Sequence, residues 1–403
     1  LGTLIALVVR ILAFVAISGV GLWQQVACAD EGDVFRPYVG LTSGYDSNLR
    51  RFSNKDVAEA STGSRDTADT YLRKEVGIIL DKQISLQKFY ADVSVNETSY
   101  NQNSDIDNTG KSMLARWNWR LGTHLEGNML ISHDEAMVPF ADFRGMALNL
   151  RTIDRQSFDA VWRFHPRWQV RSLISDSKTD YSDISQRSSR LNESAKELGL
   201  DYLFPTMSKV GLQFRNVDGD RPDPQQVGTL LIDNSYTQNE LKLAADWMYS
   251  GKTRIQFLGG GVERSHKEFS NRDFKGINSR LNFDWMMTGK TSLNSSIWRE
   301  INGQSYVTSS YVLSKGASVS LNWMATSKIV LQATTRYDES SFEGDSGNSS
   351  REDINRYHAL SVNYRPLNDL TLTGLLNRSI RESTVSNLGY KSTGLVFNVR
   401  YEF

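Results

Sequence analysis

Five histidines, His124, His133, His165, His266 and His358, are the first residues to weigh for chemistry. No two of them share the short spacing that lets one turn or helix present two imidazoles to a metal ion. His133-Asp134-Glu135 sets an imidazole beside carboxylates where a strand meets a loop, as acid–histidine pairs do in outer-membrane hydrolases. No nucleophile can be assigned to serve it, so the triplet reads as a polar rim cluster. Gly259-Gly260-Gly261 falls inside an alternating strand pattern and marks a bend or bulge rather than a phosphate cradle. No nucleophile elbow, phosphate-binding loop or dinucleotide fingerprint occurs. Catalytic residues, a metal and a cofactor are therefore not expected, and the chain is not read as an enzyme. The chemistry left is that of a long polar surface, built of arginines, carboxylates, amides and hydroxyls at alternate positions.

The elements that carry this surface are strands. In the last twelve residues, 392–403, Thr393, Leu395, Phe397, Val399, Tyr401 and Phe403 alternate with Ser392, Gly394, Asn398, Arg400 and Glu402, and Val396 is the one apolar intruder. The same period of two recurs along the chain in segments of roughly 10–12 residues, the length a tilted strand needs to cross a bilayer. Short turns and longer polar loops separate them in rotation. Asp246-Trp247-Met248-Tyr249-Ser250-Gly251-Lys252, Asp284-Trp285-Met286-Met287-Thr288-Gly289-Lys290 and Asn322-Trp323-Met324-Ala325-Thr326-Ser327-Lys328 are three versions of one short turn. A four-stranded propeller blade also repeats at about 40 residues, but each unit here holds two long strands and its turns alternate short and long.

The 403 residues carry 46 basic and 46 acidic side chains, so net charge points to no nucleic acid. Mean hydropathy is −0.43, too polar for a bundle of membrane helices. The run 4–20 is apolar but for Arg10, and Ala27-Cys28-Ala29 follows. It is expected to be a secretory signal peptide, 1–29, whose removal would take the only cysteine. Beyond it only a closed barrel would satisfy a backbone in lipid. The expected fold is all-β: one transmembrane antiparallel up-and-down β-barrel over 30–403, of about 18 strands. Alternation alone leaves a soluble sandwich open, because it shows two faces without showing which meets water.

In the barrel the polar faces line the lumen. Candidate lumen residues are Arg116, Arg120, Arg163, Arg171, Arg215, Glu240, Asp246, Arg254, Arg280, Asp284, Glu300, Arg336, Arg400 and Glu402. Trp119, Phe164, Tyr202, Trp247, Trp285, Trp323, Tyr364 and Phe403 stand beside the short turns, where a periplasmic aromatic girdle belongs. Long loops are expected at 49–68, 101–110, 134–147, 182–192, 218–234, 265–273, 302–310, 338–352 and 380–390.

The opening Phe35-Arg36-Pro37-Tyr38-Val39-Gly40, followed by Ser43-Gly44-Tyr45-Asp46-Ser47-Asn48-Leu49, resembles that of the EpsL-type outer-membrane barrels associated with exosortase/PEP-CTERM exopolysaccharide clusters. The resemblance implies exopolysaccharide biosynthesis in a Gram-negative outer membrane, as a polysaccharide-export conduit or accessory. Its partners would be outer-membrane lipid, the barrel-assembly machinery, periplasmic export proteins and the polysaccharide chain. A general diffusion porin is the alternative on the same architecture, and a long loop folded inward with clustered charges would favour it. An outer-membrane enzyme and a plugged structural barrel are weaker readings.

Overall fold

The computed structural model describes residues 34–403 except 228, 269, 304–310 and 344–350. The expected signal peptide and most of the 302–310 loop lie outside the described residues. Its strands are β1 (Phe35–Asp46), β2 (Asp69–Ile84), β3 (Gln87–Tyr100), β4 (Asn108–Leu121), β5 (Leu125–Met137), β6 (Leu150–His165), β7 (Trp168–Tyr181), β8 (Leu191–Leu203) and β9 (Lys209–Asp220). A short hairpin, β10 (Gln225–Val227) and β11 (Leu230–Ile232), precedes β12 (Tyr236–Ser250), β13 (Thr253–His266), β14 (Phe274–Met286) and β15 (Thr291–Gly303). The chain ends with β16 (Tyr311–Met324), β17 (Ile329–Glu343), β18 (Arg351–Leu367), β19 (Leu370–Ser383) and β20 (Tyr390–Glu402).

Eighteen strands form one sheet and β10–β11 stand apart. Each long strand pairs antiparallel with its neighbours in sequence, β9 passing directly to β12. β20 then pairs with β1, from Tyr38↔Glu402 to Asp46↔Gly394. That last ladder closes the sheet, so none of its eighteen strands keeps an unpaired edge.

Burial decides which face meets what. Val76, Leu198, Leu212, Leu241, Ile277 and Leu360 are exposed on the outside, whereas Asp201, Glu240 and Asp353 are buried within. A soluble sandwich would do the reverse. An apolar outer face of this extent is stable only against hydrocarbon. At the short-turn end aromatic rings form the lower margin of this belt. Trp168, Tyr202, Phe204 and Trp247 touch in sequence, with centroids 5.1, 4.9 and 5.4 Å apart.

Two expectations are corrected. The barrel strands run to 17 residues, so several expected loops begin later: β5 continues to Met137, β17 to Glu343 and β19 to Ser383. Several of the added outward positions are charged and paired across the ladder, as in Lys111–Glu135 (2.9 Å) and Arg356–Glu382 (2.6 Å), so pairing continues above the apolar belt. Gly259-Gly260-Gly261 is not a bulge, because its register with β12 and β14 is unbroken. A Cβ on Gly260 would come within 2.0 Å of the Leu241 carbonyl, so close backbone approach is what requires glycine there. The 49–68 loop also holds a helix, α1 (Lys55–Thr62), capped by the Asn54 side chain on the Val57 N–H.

Candidate functional site: the lumen and its mouth

Strand register places thirteen of the fourteen candidate lumen residues on the inward face, and Arg163 lies in the irregular step between Trp162 and His165 at the end of β6. Where β7 and β8 pair, Arg171 forks onto Asp201 at 2.6 and 3.0 Å, and the Gln169 amide donates to the same carboxylate at 2.8 Å. Asp201 is 1% exposed, so these contacts replace its water. Arg215 lies 3.9 Å from Glu240, which Lys242 holds at 2.5 Å. Further round, Arg254 grips Asp246 at 2.7 and 2.5 Å, and Arg280 grips Glu300 at 2.9 and 2.6 Å. Asp284 accepts from Asn294, and Arg336 donates to Asp338.

At the closing seam Glu402 receives Arg400 at 3.3 Å and Arg36 at 3.5 Å. Arg400 also lies 3.5 Å above the Tyr38 ring, and the Tyr38 hydroxyl donates to Asp92 at 3.0 Å. Arg120 bridges Glu126. Arg116 and Arg163 make no ion pair among the described residues. Most of these lumenal carboxylates are thus taken up in ion pairs of the wall.

The mouth holds what alternation could not indicate. The β5–β6 loop, 138–149, leaves the wall and runs as a chord across the sector of β1–β4. The Arg381 guanidinium on β19 donates to the Ala141 carbonyl at 2.6 Å. Arg144 of the loop donates in return to the carbonyls of Asn387 and Leu388. Beneath the chord, Phe140 packs with Leu49 and the wholly buried Ile106 from two neighbouring loops. Arg50 lies 5.2 Å over Phe140 and donates to the Met146 carbonyl at 3.0 Å. Arg51, Arg144 and Arg381 surround one ring, Tyr390, at 5.5, 5.6 and 5.3 Å.

A cavity of about 550 Å³ lies under the chord against β1–β5, lined by Tyr38, Arg73, Asp92, Asn96, Pro139 and Arg400 among others. Tyr38, Trp298 and Tyr390, three of the rings on which arginines lie, were not among the expected site residues. Trp298 carries both Arg280 and Arg336. The one legible signal was an inward aromatic on an otherwise polar face.

All eight candidate girdle residues stand at the short-turn end. Trp119 is covered, at 7% exposure, because its ring crosses the side-chain-free Gly127 and stacks on Phe158, centroids 5.6 Å apart. The His133-Asp134-Glu135 triplet is dispersed by the pleat. Asp134 lines the lumen cavity, while His133 points outward and meets Asp154 of β6 at 2.7 Å. Among the described residues no group of acids, histidines and cysteines could hold a metal.

Pseudomonas aeruginosa OccK2 (OpdF) has a similar structure, with TM-score 0.51 at 10% identity, over 92% of this chain and 98% of that one. The chain is an outer-membrane β-barrel. Also similar are OccK1 (OpdK) of the same organism (TM-score 0.49, 12% identity, 92% and 99% covered) and a BenF-like porin from Pseudomonas fluorescens Pf-5 (0.49, 11%, 92% and 99%). Residues 248–403 match the family described as "Putative beta-barrel porin 2". No protein of curated function matches the chain in sequence.

Proposed function

We propose that this barrel is a selective diffusion channel for small hydrated solutes, narrowed at its mouth by the 138–149 loop. The observation that carries the reading is the anchoring of that loop to β19 and the β19–β20 connection through Arg381 and Arg144. A loop held on both sides of the mouth sets a size limit, and the four arginines gathered around Phe140 and Tyr390, three of them also paired with Asp105, Asp46 and Asp353, favour anions. The polar wall below offers hydrogen bonds that replace a solute's water shell without holding it.

Single-channel recording tests this. Replacing Arg144 and Arg381 together by Ala should raise conductance, and the wild-type reversal potential in a salt gradient should indicate anion preference. Unchanged conductance in a folded double variant would sink the reading.

The conduit reading, passage of an exopolysaccharide delivered by periplasmic export proteins, draws on the opening residues 35–40 and 43–49 and on the hydroxyl- and amide-rich lumen. A polymer would need the chord displaced. On that reading, cells carrying the double variant should secrete more polysaccharide, and added polymer should block the variant's current.

A further inference from the structure

On the outer wall, register brings Leu321, Ala333, Leu360 and Leu376 into one row across β16–β19. The methyl of Ala333 stands where its neighbours carry branched side chains, and the result is an apolar hollow of about 560 Å³ that Val319 also lines. One outward step toward the long loops, the row changes to Thr335, His358, Arg378 and Thr393. Lys391, paired with Ile380, is the diagonal neighbour of Arg378, about 7–8 Å away between Cα atoms.

Elsewhere on the upper outer wall most cations have an acid: Lys111 has Glu135, Lys315 has Glu339, and Arg356 has Glu382 at 2.6 and 3.2 Å. Arg378 and Lys391 make no ion pair within 4 Å among the described residues; Glu382, already held by Arg356, is the other diagonal neighbour of Lys391 and feels its charge. Two cations and an imidazole thus cap an apolar hollow.

Height identifies the occupant. Arg378 is eight residues along β19 from its first residue, Leu370. At ~3.3 Å per residue and a tilt of ~40°, that is roughly 20 Å above the short-turn rim, near the top of an apolar belt about 25 Å tall. A phospholipid of the periplasmic leaflet would present its headgroup at the opposite end of the hollow. We propose that this face binds the phosphorylated glycolipid of the outer leaflet, a lipid A-type molecule, with an acyl chain over Ala333 and a phosphate on Arg378 and Lys391. Charge-assisted bonds from a guanidinium and an ammonium suit a phosphate at a partly dehydrated boundary.

The test is native mass spectrometry of the detergent-purified full-length protein titrated with bisphosphorylated lipid A, monophosphorylated lipid A or phosphatidylglycerol. Wild type should retain the bisphosphorylated form best. Arg378→Glu with Lys391→Glu should weaken it by about tenfold or more through lost charge-assisted contacts. Ala333→Phe, which fills the hollow and keeps the charges, should also weaken it. Both variants should keep wild-type channel conductance, which establishes that they are folded. Equal retention of phosphatidylglycerol, no retention by wild type, or unchanged retention in both variants would each overturn the proposal.

Discussion

Asp201 shows how single residues set the character of this lumen. It is almost fully buried, yet it receives three hydrogen bonds from Arg171 and Gln169, so the wall holds a charge without a bare carboxylate. Removing one partner of a buried pair leaves the other stranded. Asp201→Ala should therefore cost about 2–3 kcal/mol, at or below the low end for buried pairs because Arg171 keeps contact with lumen water. Asp201→Asn, which can still accept from Gln169, should cost less. Urea unfolding followed by tryptophan fluorescence would measure both, and equal stability of the Ala variant and wild type would contradict this account of the wall.

At the scale of elements, the 138–149 loop separates a narrowed channel from an open pipe. Its docking has an expected pH dependence through Asp142. About half of that side chain (47%) remains open and Arg151 lies 3.7 Å away, but enclosure by the loop raises its carboxyl pKa, and Arg151 and Arg381 only partly offset this. A carboxyl whose pKa is raised on docking holds its proton more tightly in the docked state. Docking is thus strengthened as pH falls from neutral through the docked pKa, and weakest above it. Conductance should fall on acidification through the upper carboxylate range, and Asp142→Asn should flatten that part of the profile. A wild-type current that rises on acidification would reverse the sign and refute the argument. Sequence reading found the loop but not its course, since the Arg381–Ala141 contact joins residues 240 apart.

For the whole molecule, closure is the controlling event. β20 is hydrogen-bonded on both sides, to β19 and to β1. Beyond the paired stretch, the Phe403 N–H donates to the Pro37 carbonyl at 2.8 Å, and its ring meets Tyr401 edge-on at 5.0 Å. Deleting Phe403 should lower the fraction that reaches the heat-modifiable, folded form in outer membranes, while barrels that do assemble should conduct normally. Full assembly of the truncated chain would remove the terminal residue from the closure mechanism.

Alternation by itself determined a great deal: long strands with two chemically distinct faces, about eighteen of them, with short and long connections in rotation. It could do so because a side chain's face follows from its parity along a strand, a purely local property. Parity is silent on which face turns inward. The β1–β20 ladder, which joins residues 38–46 to 394–402, closes the sheet, and the exposed leucines and buried carboxylates of the closed barrel show the apolar face turned outward to lipid. The same limit explains the other omissions. Arg171–Asp201, the arginines around Tyr390 and the chord across the mouth each depend on which strands stand beside one another. Tertiary structure decided these, because hydrogen bonds and ion pairs form between neighbours in space.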